Sequence, residues 1–463
     1  MNYFDKLGAV AKANNEIEGK YYHMYHVKRG LRNADGSGVL VGLTTVSSVL
    51  GYEKIDEDII PVHGKLVYRG IDLRDIVAGF ERENRFGFEE TAYLLLTGNL
   101  PTADELHQFN EMLGAMRLLN KNFHRDVLET FRTRDIMNSL ARSVLTLYSM
   151  DERADNLDVY NQIRQGIGLI AKLATLAPYA YYVIRHGFYD ESLIIHRPQI
   201  ELSTAENLLH LLRADSKYSE LEAKTLDICL VLHADHGGGN NSTFTTRVVS
   251  STNTDFYSAV SSALGSLKGP LHGGANNRVV AMMDHLKANL KDPTNIEEVR
   301  NYLFKILRGE AYDGAGKLYG IGHAVYTLSD PRAEILRGYA RKLAWEKGRE
   351  EEYRLYEIVE QEGPKALREY KNDPNLSVSS NVDFYSGFVY DCLNIPREVF
   401  TPLFAVARVA GWAAHRVEMM SNAEKIIRPA FKSLARTQKY TPLVGRESGG
   451  SVPVAERAAE DLG

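Results

Sequence analysis

The sequence predicts an all-α protein, and three observations carry that prediction. Apolar residues recur at three- and four-residue spacing through most of the chain, the period of one face of a helix. Helix-starting signals recur too, among them a Thr-x-x-Glu box at 102–105 and an Asp-Pro pair at 330–331. Strand-like alternation is confined to one short stretch, Val39 to Val49.

Taken in order, Thr102-Ala103-Asp104-Glu105 follows Pro101 and opens an amphipathic helix expected to run through Leu119. Asp135 to Met150 places Ile136, Leu140, Val144 and Leu147 on one helical face. The longest apolar stretch, Gly166 to Ile184, is interrupted by Lys172 and Pro178. A lysine near a bilayer midplane costs about 2.5 kcal/mol or more, so a buried core helix is expected there and not a membrane span. Asp330 caps a helix that Pro331 starts. Ala344 to Gly363 is dense in Glu, Arg and Lys and reads as a solvated helix face. Thr401 as N-cap, with Pro402 at the first helical position, starts a helix reaching about Met420. The tail from Gly445 to Gly463 is small, polar and charged, and is expected to fray. No fixed-period repeat and no low-complexity tract interrupts this order.

The composition is that of an ordinary globular protein. The 463 residues are 44 % hydrophobic and 25 % charged, with a net charge of −5. This excludes a disordered chain, a collagen-like fibre and a disulfide-stapled secreted domain, and the length allows about two to three domains. With a pI near 6.3 and no basic block, no nucleic-acid partner is expected. Cys229 and Cys392 are too few for a disulfide framework or a four-thiolate site, and their apolar neighbours make them buried hydrophobes suited to a reducing compartment. The first thirteen residues lack an apolar h-region and the Arg-rich look of a transit peptide, so a cytoplasmic location is expected, without a membrane partner.

Several motifs fail on inspection. Gly166-Ile167-Gly168 matches a dinucleotide fingerprint in letters, but the residues before it are helical and supply no βα turn. Ala315-Gly316-Lys317 is no P-loop, because Leu318 stands where a Ser or Thr must meet Mg²⁺ and residue 311 is Ala. His233 and His236 have a spacing that a metal could use, yet three glycines follow and no third ligand is evident, so no metal site is expected. There is no G-x-S-x-G elbow.

Four clusters put polar groups where local structure does not ask for them. His233-Ala234-Asp235-His236 runs from an apolar helix end into Gly237-Gly238-Gly239, where backbone can approach a ligand closely or the histidines can simply satisfy a loop. Gly269-Pro270-Leu271-His272-Gly273-Gly274 precedes the helical run Val279 to Met283 and sets His272 at a helix N-terminus. The positive end of a macrodipole there keeps an imidazole neutral, fit to donate to a developing enolate, while a plain turn histidine is the other reading. In Gly320-Ile321-Gly322-His323 with Asp330-Pro331-Arg332, the arginine opposes a helix dipole, explained by a bound anion or by an ion pair to Glu334. In Asn381-Val382-Asp383-Phe384, Asp383 is either an N-cap or an acid held for chemistry. Arg408, surrounded by Phe404, Ala405, Val406, Ala407, Val409, Ala410 and Trp412, needs a partner to offset its desolvation, and Arg428-Pro429 lies just beyond. Arginines in number suggest a substrate with more than one carboxylate, and an acid beside a neutral histidine suggests proton abstraction next to a carbonyl.

At these clusters the chain resembles citrate synthase, from about Tyr68-Arg69-Gly70 to Pro429. The resemblance implies a nearly all-α homodimer, or a higher oligomer built from it, with a large and a small domain and an active-site cleft between them. On this sequence the small domain would be 274–394 and the large domain 1–273 plus 395–463. The implied activity is that of an acyltransferase condensing acetyl-CoA with oxaloacetate and water to citrate and CoA, in the tricarboxylic acid cycle. Acetyl-CoA is then a co-substrate, with no permanently bound cofactor. By the same resemblance Asp383 is the base that deprotonates acetyl-CoA. His272 is the neutral histidine that stabilises the enol, and His323 polarises the oxaloacetate carbonyl. His236, Arg332 and Arg408 are oxaloacetate ligands, and Arg428 reaches a carboxylate across the dimer. Two departures stand out. Gly237 occupies a position where many family members have Glu, and Tyr326-Thr327-Leu328 offers no basic residue for the CoA phosphates, for which Lys317 and Lys371 are the candidates. The nearest alternative is 2-methylcitrate synthase acting on propionyl-CoA. A citryl-CoA lyase and a non-catalytic helical interaction protein are the others.

Overall fold

The computed structural model describes residues 2–33, 36–55, 58–323, 325–422, 425–435, 437 and 439–446. Among them are seventeen α-helices and one three-stranded antiparallel sheet. The chain forms two compact units, 1–41 with 427–463, and 42–426. The first carries helix Tyr3–Asn15, capped by a reciprocal Asn2–Asp5 box and burying no residue of its own. The tail expected to fray lies, from 447 onward, outside the described residues.

The larger unit is built around two long helices, Val159–Tyr189 and Phe400–Met420, which pack along each other. The first contains the apolar stretch read as a core helix; 83 % of its most apolar window is buried within the protein, so burial and not lipid satisfies it. Trp412 on the second is fully buried, and truncating such a side chain costs about 3–5 kcal/mol. The capping box at Thr102 forms as expected, with the Thr102 N–H donating to Glu105 at 2.8 Å, and the helix ends at Met116, three residues short of Leu119. Asp135 caps Ile136–Tyr148 and Asp330 caps Pro331–Glu346. Cys229 and Cys392 are buried and unpaired.

Three local expectations are corrected. The β-structure is larger than the 39–49 stretch: Ser47–Ile55 pairs antiparallel with Asp58–Tyr68, and Ile71–Asp72 adds a short third strand. Pro61, His63, Gly64 and Lys65 break the alternation of the second strand, so its pairing comes from its partner and not from its own pattern. Thr401 is not an N-cap. The helix starts at Phe400, directly after a 3₁₀ turn at Arg397–Val399, and the Thr401 hydroxyl donates instead to the Gly273 carbonyl at 2.9 Å. Pro402 stays within the first turn, where its missing N–H has no intrahelical role. Finally, the charged stretch 344–363 spans a break: one helix ends at Glu346, Gly348 turns with φ +64, and the next runs Glu350–Lys371. That second helix has a buried face of Tyr353, Tyr356 and Val359 behind its solvated one.

Candidate active site

Helix Glu220–His233 delivers the first histidines, and Gly237 turns the chain with φ +83, a conformation that favours glycine. A Cβ at Gly237 would lie 3.1 Å from Val49 Cγ2, so the hairpin closes over this turn. His233 donates from Nδ1 to the Cys229 carbonyl at 2.8 Å, and burial pushes its pKa down to about 3. The His236 ring centroid lies 5.4 Å from that of His323 and 5.5 Å from that of Tyr326. Burial, reinforced by Arg332, holds His236 well below the usual histidine range, and its Nε2 is buried with no partner among the described residues.

His272 sits in the turn before helix Ala275–Asn289, whose N-cap is Gly274. A second helix end, not foreseen from the sequence, contacts its ring. Ser242, in the first turn of Asn241–Ser250, approaches His272 Nε2 with its backbone N at 3.3 Å and its Oγ at 3.1 Å. The Ser242 hydroxyl donates to Asn240 Oδ1 at 2.9 Å and accepts from Trp412 Nε1 at 3.2 Å. The backbone N–H can only donate, so Nε2 is the acceptor and the proton resides on Nδ1. Burial and the nearby Arg408 push the His272 pKa down to about 4, keeping the ring neutral.

His323 and Asp383 come from two segments laced together by backbone. Gly322 N–H donates to the Ser379 carbonyl at 2.7 Å and Asn381 N–H to the Gly320 carbonyl at 2.9 Å. Gly320 has φ +81, and a Cβ there would meet Phe384 Cδ2 at 2.8 Å. His323 Nδ1 accepts from the N–H groups of Val325 at 3.0 Å and Tyr326 at 2.9 Å, which places its proton on Nε2. The ring stacks on Tyr326 with centroids 4.7 Å apart.

Asp383 is not an N-cap. Asn381 caps helix Val382–Cys392, accepting from the Asp383 N–H at 3.0 Å. The Asp383 carboxylate receives no hydrogen bond from the described residues. Its pKa is pushed up to about 6 by burial, which outweighs the pull of Arg332. Arg332 in turn is not paired to Glu334, which binds Arg74 at 2.5 Å. Its partner is Asp330: Nε to Oδ1 at 3.0 Å and Nη2 to Oδ2 at 2.8 Å, both residues buried. Asp330 Oδ2 also accepts the Val382 N–H at 3.2 Å, tying Arg332 to the helix that carries Asp383.

Arg408 is fully buried and donates from Nε to the His233 carbonyl at 2.7 Å. Both terminal nitrogens lack a partner among the described residues, and its guanidinium carbon lies 4.6 Å from the Phe404 ring. Burial pushes its pKa down to about 10, with Asp235 opposing, so it stays cationic at neutral pH. A buried guanidinium with two free donor ends is matched by a carboxylate.

The structure thus brings His236, His272, His323, Arg332, Asp383 and Arg408 into one neighbourhood of contacts and mutual charge effects. Arg428 is exposed and belongs to the smaller unit. Lys317 and Lys371 are exposed, Lys371 at the last turn of its helix, where a cation complements the dipole. Among the described residues, no group of three His, Cys, Asp or Glu side chains fits a metal ion. Sequence reasoning missed the roles of Ser242, Trp412, Tyr326 and Asp330. Only Asp330 carried a usable signal, its place two residues before Arg332.

The family model for citrate synthase, C-terminal domain, matches residues 35–430. The chain is 38 % identical to citrate synthase of Synechocystis sp., an alignment covering 85 % of this chain and 88 % of the relative. It is 33 % identical to 2-methylcitrate synthase of Shewanella oneidensis, covering 82 % and 92 %. The fold matches citrate synthase of Thermoplasma acidophilum, solved in ternary complex with carboxymethyl coenzyme A and oxaloacetate, with TM-score 0.72 and 27 % identity over 91 % of this chain and 99 % of that one. With its helical architecture and this cluster of acid, histidines and arginines, the chain belongs to the citrate synthase family.

Proposed function

We propose that this site condenses acetyl-CoA with oxaloacetate and hydrolyses the product to citrate and CoA. The observation that carries the reading is the pairing of an acid and a histidine in complementary states. Asp383, with a pKa near 6, is ionised at neutral pH yet basic enough to take a methyl proton. His272, neutral with its proton on Nδ1, donates to the thioester oxygen as the enolate forms. The enol carbon attacks the keto carbon of oxaloacetate, whose oxygen His323 polarises through Nε2–H. His236, Arg332 and Arg408 hold the oxaloacetate carboxylates, and water then cleaves the citryl thioester.

The division into a small domain, 274–394, and a large domain formed by the rest is supported by where the groups originate. His323, Arg332 and Asp383 come from the former and His236, His272 and Arg408 from the latter, so closing a cleft would complete the site and exclude water. A homodimer in which Arg428 serves the partner's oxaloacetate is the corresponding assembly. The exposure of Arg428 and of Phe431, 94 % accessible, suits a contact with a second copy. Lys317 and Lys371 remain the candidates for the CoA phosphates. The enzyme acts in the cytoplasm, in the tricarboxylic acid cycle, with acetyl-CoA as co-substrate and no resident cofactor.

A second reading, 2-methylcitrate synthesis from propionyl-CoA, is favoured by the 33 % identity to the Shewanella enzyme. The two differ by one methylene of pocket space, worth about 1–3 kcal/mol. Release of CoA thiol with oxaloacetate and either acyl-CoA decides between them by kcat/KM. No release with either overturns both and favours a protein that binds without catalysis.

A further inference from the structure

Behind the oxaloacetate-facing histidine lies a chain of buried and half-buried polar and charged side chains that the chemistry above does not use. Asp235, between His233 and His236, is fully buried. Its Oδ2 accepts from the Gly237 N–H at 2.9 Å, from the Ser47 hydroxyl and from His415 Nε2 at 3.4 Å. Arg247 Nη1 donates to His415 Nδ1 at 3.0 Å and to Glu418 Oε2 at 2.9 Å. Glu418 Oε1 accepts the Thr45 N–H at 2.6 Å, and Arg247 Nη2 donates to the Leu43 carbonyl at 3.2 Å. A guanidinium has only donors, so Nδ1 of His415 is bare and its single proton points from Nε2 toward Asp235. The hydrogen-bond directions therefore run one way, from Arg247 through His415 to Asp235.

Four segments meet in this chain: the loop leading into the hairpin, the turn after helix Glu220–His233, helix Asn241–Ser250 and helix Phe400–Met420. The geometry leaves Asp235 little freedom. A Cβ at Gly411 would stand 2.3 Å from Asp235 Oδ1, so only glycine lets the carboxylate seat against that helix. Asp235 is also the strongest of the charges that keep Arg408 cationic, and it pins the peptide that follows His236.

We propose that Glu418, Arg247, His415 and Asp235 form the positioning apparatus of the oxaloacetate half of the site. His415 is its central positioning residue, acting on His236 and Arg408 through Asp235. The proposal rests on the oxaloacetate reading of this site. None of the four touches the reacting atoms. They fix where a ligand-facing ring and a buried guanidinium stand before the substrate arrives, which is what preorganisation requires.

The test compares His415→Leu, which removes the donor to Asp235, with His415→Gln, whose amide can supply one. Oxaloacetate affinity is read by calorimetry, without turnover, on the full chain. The expected result is at least a tenfold weaker oxaloacetate dissociation constant in His415→Leu, with the acetyl-CoA KM at saturating oxaloacetate within twofold of wild type. His415→Gln should return to within threefold. Ser47→Ala removes a smaller contact to the same carboxylate and should weaken oxaloacetate alone by threefold or more, which keeps the test valid where His415→Leu does not fold. Affinity within twofold of wild type in His415→Leu, equal losses for both substrates, or no recovery in His415→Gln overturns the proposal. A wild-type protein that binds oxaloacetate but releases no CoA thiol overturns the citrate synthase reading while the positioning claim stands or falls on calorimetry. One that does not bind oxaloacetate overturns both.

Discussion

The Ser242 backbone N–H meets Nε2 of His272 at 3.3 Å, thirty residues away in sequence. This contact decides which nitrogen of the histidine carries a proton, and a helix N-terminus supplies the donor. An imidazole so held has its Nδ1–H available for a developing enolate oxygen. Replacing His272 by Ala should lower kcat about 10²–10³-fold, the usual consequence of losing one such donor, with oxaloacetate affinity unchanged. Ser242→Ala keeps the backbone donor and should cost much less. Steady-state kinetics of the two variants, with oxaloacetate titrations, check this.

Asp383 predicts the acid limb of the pH profile. Its pKa near 6 means that the base form is lost as pH falls through 6, whereas His272, near 4, is already neutral there. The kcat/KM for acetyl-CoA should therefore fall tenfold per pH unit below about 5.5, with a single apparent pKa near 6. An acid limb centred below 5 would take Asp383 out of the base role.

The same residue carries a stability cost. Its folded pKa lies above the unfolded value of about 3.9, so the ionised form is disfavoured in the folded protein. The resulting destabilisation is absent below the unfolded pKa and complete once pH has risen through 6. Asp383→Asn should thus abolish turnover yet stabilise the protein at pH 7 by up to about 3 kcal/mol, with little gain at pH 4. Denaturant midpoints at the two pH values measure it.

Arg408 offers two terminal nitrogens, in a fixed plane, that have no partner among the described residues. Arg408→Lys keeps the charge but loses the fork, and should weaken oxaloacetate about 10–100-fold by calorimetry. If the proposed homodimer places Arg428 at the partner's site, Arg428→Ala should weaken oxaloacetate binding by calorimetry while leaving fold and sedimentation unchanged. Unchanged affinity would remove the cross-subunit contact.

Gly237 holds φ +83 with Val49 Cγ2 3.1 Å from where a Cβ would be. Gly237→Ala should destabilise the protein by about 1–3 kcal/mol and raise the oxaloacetate KM, since the peptide it disturbs follows His236. Thermal unfolding and substrate titration report the two effects separately.

How much of this was legible in the sequence follows the range of the forces involved. Capping at Thr102 and Asp330, the helix face from Ile136 to Leu147 and the core helix through 166–184 depend on neighbours within a turn or two, so pattern alone predicts them. The site residues announced themselves because glycines, histidines and a lone arginine among apolar neighbours are locally costly unless something is bound or paired. Their partners were another matter. The sequence points Arg332 to a bound anion or to Glu334, whereas packing turns Glu334 toward Arg74 and pairs Arg332 with Asp330.

The sequence by itself therefore determined the helical class, the long core helix and the positions where polar chemistry had to occur. Tertiary structure alone decided that the second strand pairs at all, which helix end faces His272, and that His415 stands behind Asp235 from 180 residues away. The physical reason is that periodicity encodes which face of a helix is buried, whereas the partner of a buried charge is chosen by whichever distant segment packs against it.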